Sequence, residues 1–183
     1  LDSRIKIEVH KLDPSEDNSP AGLLRIAENS FSQTDENPYP KYDLIRGDEV
    51  WIVLDTDPDR DHSRDSGIRF VKTRCDSLND WNLVRSNPCF EVWLFYHIHK
   101  DKPDSKDLDY CKQWKELVNS AIKGGFDSRR HPVYIETASL NARKNYKLFD
   151  TSLSTGSTEV FQLADSIIPM VKPKLDKVLA MIE

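Results

Sequence analysis

No segment of this chain has the length and flanks of a transmembrane helix or a secretory signal peptide, so neither a membrane span nor an exported precursor is expected. Cysteine is sparse. Cys75, Cys89 and Cys111 form no CxxC pair and, being three, cannot all pair with one another. The expectation is a reduced, cytoplasmic protein. Positive charge is also in deficit. With 26 Lys and Arg against 31 Asp and Glu, the formal charge is −5 and no global basic field draws the chain to nucleic acid or to a membrane. Contact with nucleic acid would need a local patch, a bound metal or a partner. Arg129-Arg130-His131 and Arg143-Lys144 with Lys147 are the candidate patches, against the plainer reading of solvated surface. Repeats are absent. So is an initial Met: the chain opens Leu1-Asp2-Ser3, which reads as a trimmed or partial N-terminus.

What is present is a foldable chain of 183 residues, 38% hydrophobic and 31% charged, enough for one domain with a helical appendage. Its most informative stretch is Val50-Trp51-Ile52-Val53-Leu54-Asp55-Thr56-Asp57. Five apolar residues in a row, rich in β-branched and aromatic types, predict a strand buried on both faces, as in the middle of a parallel sheet. Side chains two apart on a strand point the same way, so Asp55 and Asp57 can aim two carboxylates at one point beyond its carboxyl end. That edge is where open α/β sheets bind ligands, and paired oxygen donors there suit Mg²⁺ or Mn²⁺. The alternative is turn chemistry, because Asp-x-Asp before Pro58 also makes a good turn. An EF-hand beginning at Asp55 is excluded, since it needs Gly where Arg60 stands and Glu where Ser66 stands. A haloacid-dehalogenase-type phosphatase would carry Thr or Val in place of Asp59; it and a sugar-nucleotide transferase remain alternatives without further support.

Residues 5–9 alternate apolar and charged and predict a strand. Ser19-Pro20 is a helix start, Ser as N-cap and Pro at the first position, with an apolar stripe to about Phe31. Together with the strand at residues 50–54 these predict a β-α-β unit with parallel strands. Residues 58–67 read as a loop around the acidic pair, 68–78 as a helix and 81–85 as a short strand. Residues 90–98 read as a buried helix capped by Ser86 or Asn87. Its one charged residue, Glu91, is either a first-turn carboxylate complementing the helix dipole or a further metal ligand or acid–base group. His97 and His99 lie two apart, a poor spacing for ligands on one helix. After a charged linker at 100–107, helices are expected over 108–123, 134–149 and 159–182, the last kinked or split near Pro169 and Pro173.

Ser86-Asn87-Pro88-Cys89-Phe90-Glu91-Val92-Trp93-Leu94, some thirty residues after the acidic strand, resembles the RloB family. The likeness extends to the Ser19-Pro20 helix start, to Asn141-Ala142, and to Gly156-Ser157-Thr158-Glu159-Val160, nearly the whole chain. It implies an α/β fold of the TOPRIM (Rossmann-like) type: a mostly parallel sheet flanked by helices over residues 1–100, with a helical C-terminal part over 101–183. It further implies a setting in prokaryotic phage defence and restriction loci, beside an AAA/ABC-type ATPase. The TOPRIM signature pairs a Glu after the first strand with an Asp-x-Asp after a later one. Asp55 and Asp57 match the second; no strand ending in Glu precedes Ile5, so the segment bearing that glutamate is expected to be missing here.

The resulting expectation is Mg²⁺- or Mn²⁺-dependent phosphodiester chemistry, most plausibly cleavage of DNA or tRNA. Asp55 and Asp57 would hold the metal and Glu91 would complete a second site, with oligomerisation left open. Two alternatives stand beside it: a non-catalytic regulatory or sensor subunit of the ATPase, and a small-molecule phosphatase.

Overall fold

Ser19 starts the first helix as its sequence predicts. Its hydroxyl accepts the Gly22 amide at 3.0 Å and its carbonyl accepts the Leu23 amide at 2.9 Å, while Pro20 has no amide to satisfy. A computed structural model of the chain describes residues 6–31, 33, 38–57, 63–104, 108–122 and 124–182. Its elements are α1 (Pro20–Phe31), β1 (Val50–Asp55), α2 (Ser63–Asp76), β2 (Trp81–Asn87), α3 (Glu91–Tyr96) and α4 (Cys111–Ala121). A 3-10 turn (His131–Tyr134) then leads into α5 (Ile135–Asn145), β3 (Leu148–Phe149), β4 (Ser152–Leu153), β5 (Ser157–Thr158) and α6 (Val160–Ile182). No helix among the described residues is long and apolar enough to cross a membrane.

The chain divides into two compact units, and the division falls inside β1 and β2. One unit holds Val9–Leu54 and Arg60–Leu83. Here Ile52, Leu54 and Leu83 from the strands meet Leu24 of α1 and Ile68, Val71 and Cys75 of α2 in a single apolar cluster. Burial of such side chains, at about 25 cal/mol per Å², is what holds α1 and α2 to the strands. Arg74 of α2 reinforces the helix pair through Glu28 of α1 at 2.7 Å. Phe31, at the end of α1, packs edge-on to Trp81 and tilted against Tyr42.

The other unit holds Asp55–Asp59 and Val84–Glu183, with Leu1–Glu8. The second half of β2 pairs antiparallel with β5, Ser86 opposite Thr158 and Asn87 opposite Ser157. α3 packs on α4 and α5, and α5 on α6. Trp114, Tyr96, Val92 and Ala142 are fully buried among them. A short hairpin joins β3 to β4, with Leu148 opposite Leu153.

The architecture is therefore α/β with a helical C-terminal part, and the three-stranded sheet, in the order β1-β2-β5, is mixed. The Val50 amide bonds to the Asp80 carbonyl and the Thr56 amide to that of Ser86. Both partners advance by six residues, so β1 and β2 run parallel; β5 is antiparallel. Several expectations are corrected. Residues 6–9 form no strand, and Ile5 lies outside the described residues; Ile7 and Val9 are exposed, so the alternating pattern there has no surface to bury against. The β-α-β unit is β1-α2-β2 instead. β1 is not buried on both faces: Val50, Ile52 and Leu54 are buried, Ile52 and Leu54 against α1 and α2, while Val53 on the opposite face is exposed. Ser86 and Asn87 do not cap α3, since both belong to β2. The helix expected over 134–149 stops at Asn145, and Leu148-Phe149 turn into the hairpin. α6 is neither split nor broken into two: Pro169 and Pro173 lie one turn apart, both exposed, where water can serve the carbonyls that lose their amide partners. Of the loop expected over 58–67, residues 58–62 lie outside the described residues, as do 105–107 of the linker and Lys123, while 63–67 are helical instead, the start of α2.

Candidate metal centre

Asp55 is the last residue of β1, and Asp57 follows in the left-handed region at φ +44°, a conformation that Asp tolerates better than most residues. Two backbone bonds fix this turn. The Thr56 amide donates to the Ser86 carbonyl at 2.9 Å, and the Asp57 amide to that of Pro88 at 3.0 Å. The same segment, Ser86 to Cys89, runs on into α3, whose first residue is Glu91. Asp55 and Asp57, and Glu91 far from them in sequence, are thus tied to one short stretch of backbone within one unit.

Asp57 meets a thiol. Cys111, the first residue of α4, donates from Sγ to Asp57 Oδ1 at 3.9 Å. Burial pushes its thiol up from the ordinary range; a hydrogen bond with Cys89 opposes that, and the negative charges of Asp57, Asp55 and Glu91 add to it. All three predicted site residues therefore act on Cys111. Cys89 is buried, and its thiol is pushed up strongly, first by that burial and then by hydrogen bonds with Glu91 and Cys111. A row of groups results: Asp57, Cys111, Cys89, Glu91. On the outer side, Lys115 Nζ reaches within 4.0 Å of Glu91 Oε1.

Sequence reasoning singled out the carboxylates and did not connect them with the thiols or Lys115. Cys89 lay in view two residues before Glu91, whereas nothing in the sequence linked Cys111 to Asp57. Among the described residues no three His, Cys, Asp or Glu side chains converge as a cage for a metal ion. The donor chemistry still fits Mg²⁺, which keeps most of its water and is held through one or two carboxylates rather than a full protein cage. Asp55 and Asp57 are such a pair.

Other candidates take structural roles. Asn87 Nδ2 donates to the Leu153 carbonyl, holding β2 to β4. His97 is buried between the rings of Trp93 and Phe126, and burial pushes its pKa down to about 4. His99 stacks on Phe95 at 4.3 Å. The basic clusters are occupied by carboxylates: Arg129 and Arg130 by Asp127, Arg143 by Asp165, Lys144 by Asp101.

The segments that carry the family resemblance meet each other. Arg85 grips Glu159 through two bonds of 2.7 and 2.8 Å; Ser86 Oγ and Thr158 Oγ1 share a hydrogen bond of 2.7 Å; Asn141 Nδ2 donates to the Tyr96 carbonyl. These residues frame the acidic turn rather than enter it. No curated protein and no solved structure matches the chain. A family model, that of the RloB-like protein, does match, over residues 2–167, and the chain belongs to the RloB-like family.

Proposed function

We propose that the protein carries out Mg²⁺- or Mn²⁺-dependent phosphodiester chemistry, cleaving DNA or tRNA in prokaryotic antiphage defence on a TOPRIM-type frame. The observation that carries this reading is the pair Asp55 and Asp57 at the carboxyl end of β1, in a turn bonded to the Ser86 and Pro88 carbonyls of the segment that leads to Glu91. A divalent cation bound there would polarise a phosphoryl oxygen and stabilise the leaving oxygen. The chain's part is to hold and orient. Asp55 and Asp57 bind the cation, the left-handed turn at Asp57 aims its carboxylate, and Glu91 serves as a proton acceptor or donor beside it, with Lys115 on its solvent side.

The test is cleavage of DNA and tRNA panels with Mg²⁺ or Mn²⁺, with and without the neighbouring AAA/ABC-type ATPase, for this chain and for one extended at its N-terminus. Cleavage lost in Asp55→Ala and Asp57→Asn supports the reading; full activity in either variant sinks it. One observation favours a second reading, a regulatory subunit of the ATPase without turnover. The Arg129-Arg130 and Arg143-Lys144 clusters already have carboxylate partners on this chain, which leaves them poor phosphate grips. Co-purification with the ATPase, and no cleavage by any form, would select it.

A further inference from the structure

The acidic turn belongs to a chain whose formal charge is −5, yet a phosphodiester is itself an anion. A positive side chain beside the turn would offset that repulsion. Several cations of this unit are already held by carboxylates: Arg85 by Glu159, Arg143 by Asp165 and Lys144 by Asp101. Lys115 is different. Its ammonium stands 4.0 Å from Glu91 Oε1, too long for a hydrogen bond, and its side chain is 61% exposed. An exposed pair at that distance is weak, so little is lost when the lysine turns to another anion.

Its position on α4 brings it to the site. Cys111, the first residue of α4, meets Asp57 Oδ1 at 3.9 Å. Lys115 follows four residues later on the same face of the helix, a spacing that sets Cβ atoms about 5–6 Å apart. We infer that Lys115 grips a backbone phosphate of a nucleic-acid substrate, next to the cation held by Asp55 and Asp57. This rests on the reading above that the acidic turn works on a phosphodiester, and it goes further in naming the residue that recognises the polyanion. Lysine suits the task. It is a flexible point charge with three donors, able to reach a phosphate oxygen without imposing one orientation. Such a contact reads the backbone and not the bases.

The test is binding of a labelled DNA duplex and of a labelled tRNA by the intact chain across a range of KCl. Ca²⁺ at a fixed concentration takes the place of Mg²⁺. Loss of one phosphate contact makes the plot of log affinity against log salt shallower by about 0.7–0.9. That change is expected in Lys115→Gln, on whichever nucleic acid is the substrate, with affinity falling alike for all sequences. Lys115→Arg keeps the charge and should keep the slope. Lys144→Gln removes a charge from the same unit and should also leave it unchanged. A purely structural role for Lys115 would lower affinity without moving the slope. An unchanged slope in Lys115→Gln, an equal change in Lys144→Gln, or no binding of either nucleic acid overturns the inference. The two readings fail separately. A shallower slope in a protein that cleaves nothing keeps the phosphate grip and removes the cleavage reading. Mg²⁺-dependent cleavage with an unchanged slope does the reverse.

Discussion

Two polar regions lie within one unit, a few residues apart along β2, and they are built on opposite terms. At the β2–β5 junction each buried polar group has its match. Arg85 and Glu159, with side chains only 14% and 9% exposed, form a two-bonded pair, and Tyr146 adds its hydroxyl to Glu159 at 3.3 Å. At the acidic turn, three carboxylates bear on the same thiol, and the cation beside them, Lys115, is largely exposed and 4.0 Å from Glu91. Like charges gathered at one point cost folding energy, while a matched buried pair fixes geometry. The difference teaches which residues to suspect of chemistry. Arg85, Ser86, Asn87 and Glu159 are the frame, and the like-charged group beside them is where the proposed chemistry is to be tested.

Breaking each region should therefore do different things. The largest effect is expected at the turn and in activity alone. Asp55→Asn or Asp57→Asn should lower Mg²⁺-dependent cleavage by about a thousandfold, the scale of losing several kcal/mol of charge stabilisation, with an unchanged denaturation midpoint. Asn also tolerates the left-handed backbone at Asp57. At the junction the consequence should fall on stability. Glu159→Ala leaves Arg85 charged and buried without its carboxylate, a loss of about 3–5 kcal/mol in urea unfolding. Should the turn variants unfold the protein, or Glu159→Ala leave its stability intact, the contrast between the two regions fails.

Much of this was legible in the chain, and for identifiable reasons. The acidic pair stood out because an apolar run ended in two Asp at strand spacing, and Glu91 because it was the one charge in residues 90–98. Ser19-Pro20 named its own helix start. One-sided cover of β1 was not legible, since an apolar run reports hydrophobicity and not which of the strand's faces the helices cover. Two-residue strands such as β3, β4 and β5 carry too few positions for a period. Residues 6–9 had the right alternation and no surface to bury it against. The thiols at the site were hidden because Cys111 meets Asp57 across 54 residues of sequence, a contact that only the packing of α3 on α4 creates.

A third way to sharpen the contrast uses α3 itself, which has Glu91 at its start and is followed at its end by His97. His97 is pushed by burial from 6.5 to about 4, with the neighbouring His131 adding a smaller push in the same direction. The unfolded chain thus binds the extra proton between those values, and the folded chain does not. Stability from this group is full above pH 6.5 and is lost as pH falls toward 4, by about 3 kcal/mol in total. Chemical denaturation across that range should show the slope, and His97→Gln should flatten it.

The smallest expected effect lies at Gly156, where the frame turns into β5. Gly156 has φ +77°, and its amide donates to the Asn87 carbonyl at 2.7 Å, one of the bonds that hold the end of β2 in place. An alanine Cβ there would meet Lys102 Cδ and Cε at 2.9 Å and Trp114 Cζ2 at 3.2 Å. Lys102 is flexible and can move aside; Trp114 is fully buried and cannot. The left-handed backbone alone costs an alanine about 1–2 kcal/mol, so Gly156→Ala should lose at least that in urea unfolding. Because Asn87, Pro88 and the acidic turn share one stretch of backbone, the variant should also weaken cation binding at Asp57, although Gly156 touches no carboxylate. A variant that loses stability and keeps full cation affinity would show that frame and site are separable, and that the junction serves the fold alone.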